Sequence, residues 1–248
     1  MKRCDMYKLY VVGIGPGDYE NMSIKAYKAL QQSEVIVGYH IYIDLIKERC
    51  EGKRIITTPM TRETERCRLA LAEARAGRIT AMVCSGDSGI YGMAALLYEL
   101  RGEESEPEIV VIPGLTAACS GGAILGAPLT HDFAVVSLSD RLTPWEKISA
   151  RLVAAAQADF CIVIYNPASK GRPHHLRTAC DTLLKILPGD RPCGIARNIG
   201  REGENSSVLS LAELRDAEVD MFCTVFVGNS MTKVIGGKMV TPRGYRYE

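Results

Sequence analysis

The chain has 248 residues, with 30 Lys and Arg against 29 Asp and Glu and a net charge of +1, so no global field draws it to nucleic acid or to an acidic membrane. Its nine cysteines, at 4, 50, 67, 84, 119, 161, 180, 193 and 223, include no Cys-x-x-Cys pair, which excludes the usual structural metal framework and reads as reduced, largely buried thiols of a cytoplasmic protein. No apolar run approaches the roughly 20 residues of a membrane span, and Met1-Lys2-Arg3-Cys4-Asp5 leads into a short strand rather than a signal segment.

In chain order, the first half alternates short apolar runs with helical patterns. Strands are predicted at 9–14, 35–37, 54–56, 79–84 and 109–112, and helices at 23–32, 41–49, 63–76, 89–100 and 115–125. That alternation predicts parallel βα units. Ser23 stands where an N-cap belongs, and Gly77 where a helix ends. Ala117, Ala118, Ser120, Gly121, Gly122 and Ala123 leave the last helix almost without bulk, so a neighbouring backbone or a ligand can come close.

The run Gly126 to Asp132 contains Pro128 and breaks the pattern, which predicts domains at 1–127 and 128–248. Beyond it, strands are expected at 133–138, 160–165, 193–198 and 221–227, helices at 144–157 and 172–187, and loops at 200–205 and 228–237. The fold class is therefore α/β, in two α/β domains.

Four polar, glycine-containing segments sit where predicted strands end: Gly13 to Asp18, Ser85 to Gly89, Pro113 to Ala117, and Tyr165-Asn166-Pro167. Ligands of open α/β sheets bind outside the carboxyl ends of the strands, so these loops can converge on one site. The first of them almost matches a dinucleotide fingerprint. However, its sixth position is Asp18 rather than glycine, and the next strand ends in Gly38-Tyr39-His40 with no acid for a ribose. Both features argue against a nucleotide-dependent oxidoreductase, and the second also against the common Rossmann-type methyltransferases.

Gly13-x-Gly15-Pro16-Gly17, Gly86-Asp87-Ser88, Pro113-Gly114-x-Thr116-Ala117 and Gly126-x-Pro128-Leu129-x-His131-Asp132 resemble the successive motifs of the tetrapyrrole methylases, nearly end to end. Within that family, four further motifs are similar to the branch acting at carbon 17 of precorrin-3B or cobalt-factor III. They are Gly38-Tyr39-x-x-Tyr42, Tyr165-Asn166-Pro167-x-Ser169-x-x-Arg172-Pro173, Arg197-Asn198-x-Gly200-Arg201-x-Gly203-Glu204 and Val227-Gly228-Asn229-Ser230. Many relatives carry Gly-Gly-Asp-Pro where this chain has Ser85-Gly86-Asp87-Ser88.

The resemblance implies the tetrapyrrole methylase fold, an active site in a cleft between the two domains, and a homodimer. It implies S-adenosylmethionine as methyl donor, S-adenosylhomocysteine as product and a corrin precursor as substrate. Pro16, Ser85, Gly86, Asp87, Ile90, Thr116, Ala117, Asn166 and Asn198 are then expected around the donor, where small residues allow close approach and Asp87 can meet an ammonium or hydroxyl. The substrate bears many carboxylates. Arg172 and Arg201 are expected to grip it, with Arg141, Lys170, His174, His175 and Arg197 nearby. Methyl transfer to a nucleophilic ring carbon asks mainly for alignment in a dry site. Ring contraction moves protons, for which Asp87, His131, Asp132 and Tyr91 are the catalytic candidates, with His40 behind them. A sister methylase acting at another ring carbon, and a noncatalytic corrinoid-binding protein, remain the alternatives.

Overall fold

The computed structural model describes residues 7–246. The chain divides into two compact units, one ending at Thr116 and the other starting at Ala117. The division falls before the small-residue helix rather than after it, unlike the 127/128 boundary expected from sequence. The cause is packing: a Cβ added to Gly121 would lie 3.0 Å from Ile199 and 3.1 Å from Phe226, so this helix is fitted onto the second unit's sheet.

The first unit is built on a five-stranded sheet of β1 (Lys8–Gly13), β2 (Val35–Tyr39), β3 (Arg54–Thr58), β4 (Thr80–Cys84) and β5 (Glu108–Ile112), in the order β3-β2-β4-β1-β5. Every pairing is parallel. β4 is buried at all five residues, as a strand covered on both faces must be, and its sequence Thr-Ala-Met-Val-Cys shows no polar alternation. Helix α1 (Ile24–Gln32) starts at Ser23, whose hydroxyl accepts from the Ala26 amide at 3.1 Å. It is followed by α2 (His40–Asp44), by α3 (Glu63–Arg75), which gives way to Gly77 at φ 84°, and by α4 (Ala94–Arg101). Leu9, Val11, Val35, Val37 and Met82 pack with Cys67, Leu71 and Leu97 in one core, while Val12, Ile14, Ile36, Ala81 and Val83 pack with Ala26, Leu30 and Ile43 in another. This is the arrangement that puts helices on both faces of a parallel sheet. Helix α4 starts five residues later than expected. The Ala94 amide donates to the Ser88 carbonyl at 3.1 Å, and Tyr91 sits at φ 53°, so residues 89–93 form an irregular loop instead of a first turn.

In the second unit, α5 (Ala117–Leu125) and the short β6 (Gly126–Ala127) lead into β7 (Phe133–Ser137), α6 (Trp145–Gln157), β8 (Cys161–Tyr165), α7 (His175–Leu183) and β9 (Pro192–Arg197). Then come β10 (Asn205–Ser210), α8 (Leu211–Leu214), β11 (Cys223–Val227), β12 (Lys233–Ile235) and β13 (Lys238–Val240). The main sheet runs β10-β9-β11-β8-β7 and is mixed: β7 and β8 are parallel, whereas β11 runs against both β8 and β9, and β10 against β9. A small sheet β12-β13-β6 completes the unit. Thus β10, α8 and the β12–β13 hairpin add to the expected elements, and β12 lies in a stretch read as loop. Ile148, Leu152, Ile162, Ile164, Leu176 and Leu183 form one core, and Val163, Phe226, Leu125 and Met239 another. No helix among the described residues is long and apolar enough to cross a membrane.

Candidate active site

In the first unit the parallel sheet sends the ends of β1, β4 and β5, three neighbouring strands, to one edge. The three loops that leave it are locked together through backbone. The Gly15 amide donates to the Gly86 carbonyl at 3.1 Å, and the Gly86 amide to the Gly15 carbonyl at 2.7 Å. A Cβ on Gly114 would lie 2.2 Å from the Gly86 oxygen and 2.6 Å from Gly13, and one on Gly13 would lie 2.6 Å from the Gly114 nitrogen. These glycines are required because one loop's backbone presses on the next, not only because a ligand must come close.

Asp87 ties the same junction. Its Oδ1 accepts from the Gly89 and Ile90 amides at 2.7 and 3.1 Å, and its Oδ2 from the Gly114 amide at 2.9 Å. Three amide bonds on one carboxylate make it a brace for two loops, closing its own turn as Asp residues do. The buried Ser88 hydroxyl adds a bond of 2.9 Å to the Ile112 carbonyl. Around this frame Pro16 is buried, Ser85, Gly86 and Thr116 are half-buried, and Ile90, Tyr91 and Leu115 are exposed. Asp18 closes its own turn, accepting from the Asn21 amide at 2.7 Å.

In the second unit, β8 and β9 run the same way, so Asn166 and Asn198, each just past a strand end, share one edge of the sheet. Both have φ 52°. With Tyr91 they make three of the five non-glycine residues at positive φ among those described, a strained conformation that collects at functional sites. Asn166 is fixed by its Nδ2 donating to Ser137 Oγ at 2.9 Å, and Tyr165 by its hydroxyl accepting from the Ala118 amide at 2.7 Å, at the start of α5 where Ala117 stands. The Asn198 loop is closed on itself: the Arg201 amide donates to the Asn198 carbonyl at 2.9 Å, and the Gly200 amide to Glu204 Oε2 at 2.7 Å.

Basic residues collect at this edge. Arg172 approaches Asp140 at 4.0 Å, and the half-buried His175 meets the same carboxylate at 3.1 Å while packing edge-on against Trp145. The His175 hydrogen bond, opposed by burial and helped by the Arg172 charge, holds the Asp140 carboxyl below its ordinary value. Arg201 lies over the Phe222 ring at 5.6 Å, and Arg197 is paired with Asp220. Arg141, Lys170 and His174 are exposed. Asp140 and Trp145 were not singled out in the sequence. Nothing in a lone Asp or Trp signals that a histidine beyond the next helix and strand will lodge against both.

His131 and Asp132 stand elsewhere. They precede β7, at the end where the Cys161 amide donates to the Asp132 carbonyl at 3.1 Å, while Asn166 follows the far end of the neighbouring strand. Five residues of strand put about 17 Å between the two ends. Among the described residues neither side chain has a hydrogen bond, to the other or to anything else. The branch motif Gly228-Asn229-Ser230 lies at that same end and works as an anchor. Asn229 accepts from the Met231 amide at 3.0 Å, Thr232 meets Thr241 at 2.8 Å, Thr241 donates to the Pro128 carbonyl at 2.6 Å, and Ser230 donates to Asp159 at 2.6 Å. No cluster of three potential metal ligands occurs among the described residues.

Known proteins resemble the chain along nearly its whole length. A chain from Salmonella typhimurium named probable cobalt-factor III C(17)-methyltransferase is 46% identical over 238 residues, covering 96% of this chain and 99% of that protein. The cobalt-factor III methyltransferase of Priestia megaterium is 43% identical over 244 residues, covering 96% of this chain but 45% of that longer protein. The crystal structure of the methyltransferase CobJ superposes with a TM-score of 0.87 at 36% identity, over 95% of this chain and all of that one. A uroporphyrin-III C-methyl transferase from Thermus thermophilus, solved with S-adenosyl homocysteine, shares the fold at 22% identity and a TM-score of 0.68. Residues 8–215 match the model of the tetrapyrrole (corrin/porphyrin) methylases, and with loops, fold and relatives in agreement, the chain belongs to that family.

Proposed function

We propose that the chain is an S-adenosylmethionine-dependent methyltransferase of cobalamin biosynthesis that methylates carbon 17 of precorrin-3B, or of its cobalt-containing counterpart cobalt-factor III, with contraction of the ring. The observation that carries this is the 46% identity to a protein of that name across 99% of its length. A sister activity at another ring carbon has less support, since the structure described as cobalt precorrin-4 methyltransferase is 21% identical to this chain.

The residues present suit the donor. Exposed Ile90 and Leu115 beside glycine backbone suit a flat base and a ribose, and Asp87 keeps lone pairs beyond those its loop amides use. The donor supplies an electrophilic methyl group on sulfur and leaves as S-adenosylhomocysteine. Pro16, Ser85, Gly86, Ile90, Thr116, Ala117, Asn166 and Asn198 hold it in this reading, and Asp87 keeps two of their loops in register. Rigid loops serve a reaction that depends on aligning sulfur, methyl and ring carbon. Arg172 and Arg201 take acidic arms of the macrocycle, with Arg172 steadied by Asp140. For the protons of ring contraction we place Tyr91 on the glycine-loop edge ahead of His131 and Asp132, which stand at the amino end of β7. A homodimer in the cytoplasm completes the proposal and rests on family resemblance.

The test is incubation with methyl-labelled S-adenosylmethionine and each macrocycle, followed by NMR location of the methyl group. Label at carbon 17 of a contracted ring is the expected result. Label at another carbon assigns the sister activity, and no label with either macrocycle overturns the proposal.

A further inference from the structure

Arg66 is the most deeply buried cation described outside the loops above, with 5% of its surface exposed. It projects from the first turns of α3 to the ends of β2 and β3. Its Nε donates to Thr58 Oγ1 at 2.8 Å, its Nη2 donates to the Pro59 carbonyl at 2.9 Å, and its guanidinium lies 5.9 Å from the centre of the Tyr39 ring. Both partners are neutral. Among the described residues no carboxylate forms an ion pair with it, and Nη1 has no acceptor. Glu63, one turn earlier, is engaged with the Thr61 amide at 3.2 Å instead.

A guanidinium largely withdrawn from water without an ion-pair partner is costly, and its planar fork is the group best matched to an incoming carboxylate. The location fits. Tyr39 pairs with Thr58 across β2 and β3, and β2 follows β4 through Val37 and Met82, so Tyr39 and Thr58 end level with Cys84, where the Ser85–Gly89 loop begins. Arg66 therefore stands on the carboxyl edge of the parallel sheet, the edge that carries Gly13, Asp87 and Gly114. Cys84 senses both neighbours. Its thiol is pushed up to about 11, chiefly by burial, with the Arg66 charge lowering it and Asp87 raising it. Tyr39 also opens the Gly38-Tyr39-x-x-Tyr42 motif, and its ring meets His40 and Tyr42 edge-on at 4.4 and 5.2 Å. The result is an aromatic wall with a cation behind it.

We infer that Arg66 receives a ligand carboxylate at this edge, an acidic arm of the macrocycle set against the Tyr39 wall. The inference rests on the proposed function, and the methyl donor carries the other carboxylate that could fill the place. The experiment separates the two. Arg66's side-chain Nε–H signal is identified in protein carrying ¹⁵N-labelled arginine by its absence from Arg66→Lys. S-adenosylhomocysteine is added first and then precorrin-3B, anaerobically and with no methyl donor. The expected result is a shift of the Arg66 signal at the second addition and not the first. In Arg66→Met the dissociation constant for precorrin-3B rises about 10- to 100-fold, as for a lost charge-assisted bond, while that for S-adenosylhomocysteine stays within about twofold. A shift at the first addition alone assigns the donor's carboxylate and overturns the macrocycle assignment. Wild-type protein that binds both ligands without moving the signal overturns the inference and leaves the proposed function standing; if wild type does not bind precorrin-3B the titration is run with cobalt-factor III, and failure to bind either macrocycle overturns both.

Discussion

Asp87 shows how far a single residue's role shifts once its partners are known. As a glycine-loop acid it is a natural ligand for an ammonium group, yet it already accepts three amide bonds that hold two loops together. Asp87→Ala strands those donors, so it is expected to lower unfolding stability by about 1–3 kcal/mol and to weaken S-adenosylhomocysteine binding together with it. Paired denaturant melts and calorimetric titration check this, and lost affinity at unchanged stability would show a direct contact instead. Cysteine exposure gives a second expectation at this scale. Cys119 is exposed, while Cys50, Cys67, Cys84, Cys161, Cys180, Cys193 and Cys223 are buried. A short iodoacetamide pulse on native protein should therefore modify Cys119 and spare those seven, which mass spectrometry of the digest reads directly.

Among the elements, α5 packs closely through Gly121, which makes room for Ile199 and Phe226. That ring is 1% exposed and would lie 3.1 Å from a Cβ on Gly121. Phe226→Ala should cost about 3–5 kcal/mol in denaturant melts, the range for emptying a rigid aromatic site. β1, β4, β8, α1 and α6 were legible in the sequence, the strands as short apolar runs and the helices by the period of one buried face. What escaped was held by polar detail. β10, Asn-Ser-Ser-Val-Leu-Ser, is exposed or half-buried throughout and offers no alternation, and α8 behind it is a single turn started by the capping box of Ser210 and Glu213. Gly236 and Gly237, at φ 57° and 75°, make a two-residue hairpin turn between Lys233–Ile235 and Lys238–Val240, a readable signal hidden by counting glycines as loop. The candidate site divides the same way. Loop glycines and the αL asparagines were visible as motif letters, whereas Arg66 and the Asp140–His175 pair depend on neighbours distant in sequence, which no local pattern reveals.

For the whole molecule, the titrating groups predict a stability plateau with two flanks. Hydrogen bonds from Ser210 hold the Glu213 carboxyl below its ordinary value, and the His175 bond does the same for Asp140. A carboxyl lowered on folding contributes stability that is present above its unfolded value, near pH 4, and is lost as pH falls through the folded one. The thiols act in the opposite direction. Burial pushes Cys84 and Cys223 up to about 11 and Cys67 and Cys180 up to about 12, so their contribution is complete below the unfolded value of about 8.5 and is lost as pH rises through the folded ones. Urea melts from pH 3 to 11 should be flat near neutrality and fall on both sides, with Glu213→Gln softening the acid flank and Cys67→Ala the alkaline one. An alkaline flank unaltered by Cys67→Ala would remove that thiol from the account.

The contact of Gly13, Gly86 and Gly114 has one further consequence, for how such a protein can be re-engineered. Where side chains meet, a change on one side can be answered by a change on the other. Here amide meets amide, and no second substitution restores the space that a methyl group on Gly114 would take, 2.2 Å from its neighbour's oxygen. The junction is a keystone without interchangeable parts. Any attempt to redirect the enzyme to another ring position should therefore leave it alone and vary side chains that still have alternatives, such as the Tyr39 cluster on the same sheet edge.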